Sequence, residues 1–318
     1  MDDFALMNLM TGYQQAAVIA AGVRLGIFDA LAKTPRTAAE LANQLGTAEA
    51  PTRVLLAALE RLGLATDGPR ICLTDAGARL VGDEALALLS LKEAFFARVW
   101  NDLDQVVRTG APKLTSWTQR WADDPQQCRL FLRALRVIAE VSGPDMIATG
   151  VFTSGARVLD AGGGFGSYAA TLAQAGCAVT LAELPVVAPW ASDEVARLTT
   201  GSGSVQVVAE DLLAPASIGD FEAGLVSHVV HDLDDADAVA LLAGVRARLR
   251  PGAPVVVFEL AGDSPGFFGP SFDLMMMVEG PGRARSASEV TTLLEASGWT
   301  QVRELPAQRP HLLIQAVA

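Results

Sequence analysis

The sequence predicts an α/β fold in which a mostly α-helical region precedes a parallel sheet covered by helices. In the second half of the chain, five runs rich in β-branched residues alternate with helical stretches, as in parallel sheets. A strand, a glycine-rich turn and a helix follow one another over 157–174, which is typical of a nucleotide site. The first half has the apolar spacing of helices. We therefore predict domains at 1–142 and 143–318.

The composition indicates a globular protein with an acidic surface. The 318 residues are 51% hydrophobic and 19% charged, with a net charge of −12. This charge argues against nucleic acid as the main partner, because binding to phosphates needs basic groups. Three widely spaced cysteines indicate free thiols in a reducing compartment. The acidic start lacks the basic region of a signal peptide, and no apolar run approaches a membrane span of about 20 residues. We expect a cytoplasmic protein that does not bind membranes.

The first half contains the pattern of a winged helix. The almost wholly apolar run 12–32 predicts a helix that is buried against other helices or a second subunit. Thr37 and Glu40 form a capping box at the start of the next helix, and another amphipathic helix is predicted over 50–63. Short extended runs on both sides of 67–69 indicate a hairpin. A winged helix could bind DNA, but the acidic composition favours a scaffold or a dimer interface.

The second half predicts five strands and a closing hairpin. The strands lie in ARVLDA, AVTLAEL, VQVVAE, AGLVSHVV and PVVVFEL, and the hairpin lies in QVRELPAQRPHLLIQAV. Because these runs are apolar almost throughout, both faces of the sheet should be covered.

The glycines after the first strand narrow the choice of nucleotide. A phosphate-binding P-loop would need a lysine after the last glycine, but Gly166 is followed by Ser167. A dinucleotide fingerprint would need a glycine in place of Ser167. The spacing of Asp160, Gly162, Gly164 and Gly166 is similar to the first motif of class I S-adenosylmethionine (SAM) methyltransferases.

Acids at the ends of the next two strands agree with a nucleotide site. Glu183 ends the second strand, where an acid would bind the ribose hydroxyls. Glu210 and Asp211 end the third. Each acid alone also suits a solvated strand end, but their order at one sheet edge favours a ligand site.

Over nearly the whole chain, these segments resemble the small-molecule O-methyltransferases of bacteria and plants. The segments LGIFDAL, TAAELA, RVLLAALERLGL and LTDAGARLV are similar to the dimerisation domain of that family. The segments ARVLDAGGGFG, EDLL, HVVHDLDD, LRPGAPVVVFEL and DLMMMVEGPGRARSASEV are similar to its catalytic domain. The resemblance implies a Rossmann-like class I methyltransferase domain preceded by a mostly α-helical winged-helix dimerisation domain. It also implies a homodimer and S-adenosyl-L-methionine as the cofactor.

The resemblance also assigns the residues that contact the cofactor. Gly162, Gly163 and Gly164 would lie along its methionine end, and Glu183 would bind the ribose. The other assigned contacts are Asp211 and Leu212 beside the adenine, Ser227, where plant members have lysine, and Ser142 at the carboxylate.

By the same resemblance, His231 is the general base and Glu259 is the acid that orients it. Leu233 and Ala284 depart from the family, which has a tryptophan and a second glutamate at these positions. A phenol has a pKa of about 10 and imidazole one of about 6.5, so positioning must supply much of the acceleration. We predict methyl transfer to a hydroxyl of a small aromatic or polyketide-like molecule.

Other functions stay open at this point. Ala284 and Leu233 also suit relatives that use SAM without methyl transfer, in decarboxylation, hydroxylation or pericyclic chemistry. C-methylation is a nearer variant, and a winged-helix regulator that senses a small molecule is a non-enzymatic alternative.

A metal site is the last alternative, because two histidines and several acids lie within 228–237. A calcium loop is excluded, because Ala236 occupies a ligand position. An iron site would need a histidine from elsewhere, since His228 is predicted to lie on a strand and point away from His231. We therefore predict no metal.

The acceptor pocket is predicted from apolar residues late in the chain. Phe267, Phe268 and Met275 to Met277 lie where the family lines this pocket. Flat rings and adaptable methionines suit a planar, apolar acceptor, although they also suit a core.

Overall fold

The computed structural model describes residues 1–199, 203–215 and 219–318. These residues form two compact units. The first contains Met1–Asn101 and Arg129–Val137, and the second contains Asp102–Cys128 and Ile138–Ala318. The domain boundary at 142/143 stays a prediction.

The helices and strands follow the order expected from the sequence. The helices are α1 (Asp3–Met10), α2 (Tyr13–Arg24), α3 (Ile27–Lys33), α4 (Ala38–Leu45), α5 (Glu49–Arg61), α6 (Asp75–Ala78), α7 (Ala85–Val99), α8 (Leu103–Thr109), α9 (Trp117–Asp123), α10 (Pro125–Ala134), α11 (Arg136–Ala148), α12 (Ser167–Gln174), α13 (Ala188–Leu198), α14 (Asp235–Arg248), α15 (Phe268–Glu279) and α16 (Ala287–Ala296). The strands are β1 (Arg157–Ala161), β2 (Ala178–Glu183), β3 (Ser204–Ala209), β4 (Ala223–Ser227), β5 (Pro254–Leu260), β6 (Thr300–Leu305) and β7 (His311–Val317). Short 3₁₀ helices span Trp100–Asp102 and Val230–Asp232.

The first unit confirms the capping box but not a continuous helix over 12–32. Thr37 Oγ1 accepts from the Glu40 amide at 3.2 Å, and a Glu40 oxygen accepts from the Thr37 amide at 2.9 Å. The apolar run divides into α2 and α3 at Gly26, whose φ of 73° is left-handed. The predicted hairpin is reduced to an antiparallel bridge between Ala65 and Leu73. The winged helix stays a prediction.

The second unit confirms the five parallel strands and the closing hairpin. Its described residues form a seven-stranded sheet in the order β3-β2-β1-β4-β5-β7-β6. Strands β1 to β5 are parallel, and β7 is antiparallel to both β5 and β6. The strand order reverses between β1 and β4, and ligands of such sheets bind at the carboxyl ends beside this reversal.

No single helix in the described ranges is long and apolar enough to cross a membrane. One bent pair, Asp3–Arg24 with Ile27–Lys33, satisfies the criterion by length and composition alone.

Helix α1 carries apolar side chains that the described residues leave exposed. None of its residues is buried, and Phe4 and Met10 are 72% and 66% exposed. Its exposed large apolar residues are Phe4, Leu6, Met7, Leu9 and Met10. A contiguous apolar surface of this kind marks a protein interface, so we expect a second chain to cover α1.

We predict that the chain forms a dimer through the region that contains α1. The substitution Leu9→Glu should weaken the dimer at least about 10-fold, because covering a leucine contributes about 1.5–3 kcal/mol. Light scattering over a concentration series measures the dissociation.

The matched control is Val107→Glu, at an exposed apolar residue of α8 in the second unit. It should leave the dimer intact. A wild-type chain that is monomeric at micromolar concentration would contradict this account.

Candidate functional site

The loop between β1 and α12 needs its glycines for two different reasons. Gly162, Gly164 and Gly166 have φ angles of 70°, 58° and 75°, which side chains strongly disfavour. Gly163 has no positive φ, but a Cβ there would lie 2.3 Å from a carboxylate oxygen of Asp160. The loop is therefore closed tightly over the end of β1, and side chains at these positions would strain it.

Two buried carboxylates lie beside this loop. Glu183 accepts from the backbone amides of Gly164 at 2.8 Å and Leu184 at 2.7 Å. Burial raises the pKa of Glu183 to about 7 against these hydrogen bonds. Burial, and then the nearby Glu183, raise the pKa of Asp160 to about 7 as well. Both oxygens of Asp160 are buried without a hydrogen-bond partner among the described residues. A ligand that donates hydrogen bonds or carries positive charge would relieve both acids.

The two acids that follow β3, Glu210 and Asp211, differ in burial and in their partners. Glu210 is buried and forms an ion pair with the fully enclosed Arg248, whose Nε lies 3.0 Å from Oε1. Asp211 is exposed, and among the described residues its side chain accepts a single local bond, from the Leu213 amide at 3.0 Å. Leu212 beside it is buried. Asp211 and Leu212 therefore remain the pair at this edge that a ligand could contact.

The two predicted serines differ in their surroundings. Ser227 is buried at the end of β4, beside the reversal of strand order. Ser142 is fully enclosed, and its hydroxyl donates to the Ile138 carbonyl at 2.6 Å and bonds the Tyr168 hydroxyl at 2.7 Å. Because Ser142 donates its only hydroxyl proton to the Ile138 carbonyl, it has none left to donate to the carboxylate of a bound ligand. To bind that carboxylate, the side chain would have to rearrange.

Glu259, at the end of β5, collects three donors from the segment after β4. Its Oε1 accepts from the amides of Val229 at 3.1 Å and Val230 at 2.8 Å. Its Oε2 bonds His231 Nδ1 directly. The carboxylate therefore fixes the ring of His231 and leaves Nε2 on the opposite side, 3.6 Å from Asp232.

Charges around His231 set its protonation. Burial alone would lower the pKa of His231, but Glu259 and then Asp232 outweigh it and raise the pKa to about 9. Burial would raise the pKa of Glu259, but the His231 ring holds it below its usual range. The pair is thus an imidazolium and a carboxylate at neutral pH.

Arg285 supports the same turn from its other side. Its buried guanidinium donates to the carbonyls of Val230 at 2.5 Å and Leu233 at 2.9 Å, and it pairs with Asp235 at 2.7 Å. A Cβ at Gly282 would lie 1.9 Å from the His231 carbonyl, so this glycine allows the close approach.

The prediction that His228 points away from His231 on a strand is wrong. Strand β4 ends at Ser227, and His228 has a left-handed φ of 56°. This conformation turns the chain, so that the rings of His228 and His231 lie 6.1 Å apart. A nitrogen of each histidine and an oxygen of Glu259 lie within 4.8 Å of one another, which is a spacing that could hold a metal ion. The Glu259 oxygens are already committed to three N–H groups, which argues against a metal ligand.

The aromatic residue beside His231 is not one of those predicted to line the acceptor pocket. Phe267 is 76% exposed, and Phe268 and Met277 are also exposed. The ring that contacts His231 belongs to Phe272, with centroids 5.1 Å apart. The apolar cluster around Phe272 contains Met276, Ala284, Leu260 and Met275.

Ala284 occupies the position of the missing glutamate in the wall of a recess. The recess has a volume of about 380 Å³ and is also lined by Asp273 and Glu289. The amide of Ala284 donates to Asp273 at 3.0 Å. An acid is therefore present near this position, but it is supplied by α15.

The sequence patterns do not indicate Tyr168, Phe272 or the turn at His228. Phe272 follows the exposed Phe268 by one helical turn, and that spacing could have indicated a buried face. The signals for Tyr168 and His228 are weak, since one depends on a contact between distant segments and the other on a left-handed residue.

Comparison with known proteins places this chain in a family. The model of the O-methyltransferase domain matches residues 100–300, and that of the O-methyltransferase dimerisation domain matches residues 7–92. The chain therefore belongs to the O-methyltransferase family that carries this dimerisation domain.

Individual relatives match over nearly their whole length. Mitomycin biosynthesis 6-O-methyltransferase of Streptomyces lavendulae is 31% identical over 94% of this chain and 89% of its own. O-demethylpuromycin-O-methyltransferase of Streptomyces alboniger is 29% identical over 98% and 88%. The structure of the mitomycin 7-O-methyltransferase MmcR matches with a TM-score of 0.84 at 28% identity, over 99% of this chain and 97% of that one. Human N-acetylserotonin methyltransferase, in complex with SAM, shares the fold at 20% identity with a TM-score of 0.88 over 100% and 98%.

The interaction of Glu259 with three donors predicts a pH-dependent stability. The pKa of His231 in the folded chain is about 9, above the ordinary 6.5. Its contribution to stability is therefore complete below pH 6.5 and is lost as the pH rises through 9. Glu259→Gln should reduce the free energy of unfolding at pH 6 by about 1–3 kcal/mol, because buried donors lose an acceptor.

Chemical denaturation at pH 6 and at pH 9.5 measures this difference. The wild type should lose more stability between the two values than Glu259→Gln does. Glu295→Gln, at an exposed acid of α16, should behave like the wild type. Equal pH dependence in wild type and Glu259→Gln would show that the pair is not ionised as described.

Proposed function

We propose that this protein transfers a methyl group from S-adenosyl-L-methionine to a hydroxyl of a small aromatic or polyketide-like molecule, with His231 as the general base. The observation that carries the proposal is the turn at His231. Its ring is fixed through Nδ1 by a buried acid and contacts an aromatic ring, while Nε2 remains on the other side for an acceptor. This arrangement lies at the carboxyl edge of the sheet in a chain of the O-methyltransferase family.

The residues at the glycine loop fit the proposed cofactor. SAM supplies an electrophilic methyl group on a positively charged sulfur. Its ribose diol suits Glu183, whose buried carboxylate can accept from hydroxyls, and its positive charges suit Asp160, which lacks a partner among the described residues. We assign Gly162, Gly163 and Gly164 to its methionine end, and Asp211 and Leu212 to the adenine. Ser227 lies at the neighbouring strand end.

The work of His231 is to accept the proton of the acceptor hydroxyl. Because Asp232 and Glu259 hold its pKa near 9, His231 must first lose its own proton. Glu259 then keeps the Nδ1–H tautomer and stabilises the imidazolium that forms when Nε2 takes the proton of the acceptor. The phenolic oxygen is thereby aligned and partly ionised for an in-line displacement.

The acceptor is proposed to be planar and apolar. The cluster around Phe272 and Met276 presents an aromatic ring and an adaptable thioether next to the base. The relatives named for mitomycin and puromycin substrates also support a natural-product acceptor.

We also propose a homodimer in a reducing compartment. The dimerisation-domain match and the exposed apolar side chains of α1 support the dimer. Cys72, Cys128 and Cys177 are free thiols, which suits the cytoplasm.

The most direct test of the cofactor is calorimetry with SAM and with its demethylated product. Both should bind with dissociation constants below about a millimolar. Gly163→Ala should weaken both at least about 10-fold, because its Cβ would collide with Asp160. Gly252→Ala is the control, since nothing lies within 4 Å of a Cβ there although its φ is positive. Failure of the wild type to bind either compound would contradict the cofactor assignment.

The substitution His231→Ala tests the base. Turnover should fall about 10²–10⁴-fold, the usual effect of a positioned acid or base, while SAM affinity stays nearly unchanged. The rate is measured as transfer of the labelled methyl group from SAM to a phenolic acceptor, followed by mass spectrometry.

The pH profile tests the same assignment independently. The wild-type rate should rise with pH towards 9, because only the neutral form of His231 can take a proton. Asp232→Asn removes a negative charge that raises this pKa, so its profile should shift to lower pH. Asp237→Asn, at an exposed acid of α14, should not shift it.

An unaffected rate in His231→Ala would exclude His231 as the base. A product without the label that still requires SAM would favour chemistry without methyl transfer.

A further inference from the structure

A buried hydrogen-bond chain joins α11, α12 and the turn that carries the proposed base. Ser142 has a single hydroxyl proton, which it donates to the Ile138 carbonyl at 2.6 Å. The bond between Ser142 and the Tyr168 hydroxyl, at 2.7 Å, must then be donated by Tyr168. Its only proton is thereby used, so the Tyr168 oxygen accepts from His228 Nε2 at 3.1 Å. The donor-to-acceptor direction of these hydrogen bonds therefore requires His228 to be the Nε2–H tautomer.

The protonation of His228 agrees with this direction. Burial lowers the pKa of His228 to about 4 and outweighs the nearby Glu259, which acts in the opposite sense. A neutral imidazole has one N–H, and the Tyr168 hydroxyl is the partner it finds. Its Nδ1 is buried without a hydrogen-bond partner among the described residues, so a tautomer with Nδ1–H would leave a donor unpaired.

The ring of His228 is also enclosed by other rings. It stacks on Tyr168, with centroids 5.8 Å apart and planes inclined by 29°. It contacts Phe258 at 5.1 Å and lies 6.1 Å from the ring of His231. A side chain held at one end by a hydrogen bond and along its faces by rings has little freedom to change rotamer.

The backbone conformation of His228 connects its fixed side chain to Glu259. A left-handed φ of 56° is costly for a residue other than glycine and persists only where the surroundings impose it. The amide of His228 still donates to the Phe258 carbonyl at 2.8 Å, which continues the hydrogen bonding between β4 and β5. The next two amides, of Val229 and Val230, both point at Glu259. The left-handed residue therefore changes the chain from a strand into a turn that binds the carboxylate.

We propose that His228 is a positioning residue for His231, and that Tyr168 and Ser142 hold it in the one tautomer and backbone conformation that present the Val229 and Val230 amides and the His231 ring to Glu259. The proposal rests on the proposed function for its kinetic consequence. Its structural part does not depend on methyl transfer.

Three variants separate the hydrogen bond from the ring and the backbone. Tyr168→Phe removes only the hydroxyl and leaves the His228 N–H unpaired. His228→Ala removes the donor and places alanine at a left-handed φ. His228→Gln has the same φ strain as alanine but places an amide N–H near the position of the ring Nε2–H, so it should recover part of the lost function. Tyr13→Phe is the control, because Tyr13 is the other tyrosine of the chain and is 66% exposed.

The kinetic test compares kcat with KM for SAM. We expect kcat to fall about 10-fold in Tyr168→Phe and up to about 100-fold in His228→Ala, because small displacements of a base have large effects. KM for SAM should change less than about twofold, and the kcat of His228→Gln should exceed that of His228→Ala by about 10-fold. The double variant should be no worse than His228→Ala, since both residues act through one network. A wild-type kcat in Tyr168→Phe, or equal loss in the glutamine and alanine variants, would overturn the proposal.

Imidazole ¹⁵N spectra supply a test that needs no catalysis. The chain has three histidines, so the signals can be assigned by single substitutions. At pH 7 the wild type should show His228 as the Nε2–H tautomer. In Tyr168→Phe the signals of both His228 and His231 should move, whereas in Tyr13→Phe they should not. If the wild type transfers no methyl group, the proposed function fails while these spectra still decide the inference. A His231 signal that is the same in wild type and Tyr168→Phe would overturn it.

Discussion

The carboxylate of Glu259 is the point on which the geometry of the candidate site depends. It lies at the end of a buried central strand and accepts from two backbone amides and one imidazole, all from the turn after the neighbouring strand. A buried carboxylate is costly unless its lone pairs are occupied, so the turn and the acid stabilise one another. Arg285 binds the carbonyls on the other side of the turn, which restrains both polar edges of this short segment. The position of the His231 ring follows from these contacts.

The sheet brings this turn close to the other half of the site. Strand order reverses between β1 and β4, so the glycine loop and the His231 turn emerge at neighbouring strand ends. The loop side contributes two buried acids whose pKa values are raised to about 7. The His231 side contributes Glu259 and Asp232. The site therefore gathers several acids whose ionised forms a cationic cofactor would favour, and Glu259 and Asp232 raise the pKa of the base beside them.

Much of this arrangement could be predicted from the sequence, because the apolar strands and the glycine loop leave local signals. The strand ends that carry Asp160, Glu183 and Glu259 follow directly from those patterns. The departures have identifiable physical causes. The predicted orientation of His228 is wrong because one left-handed residue ends the strand early. The choice between Glu210 and Asp211 depends on Arg248, which is distant in the chain.

Glu259 holds His231 as a charged, oriented imidazolium in the resting protein. The NMR titration of the His231 ring, assigned with His231→Gln, measures this most directly. We expect a midpoint near pH 9, well above the ordinary value of about 6.5. A midpoint at or below 6.5 would mean that burial outweighs Glu259, and it would contradict the account.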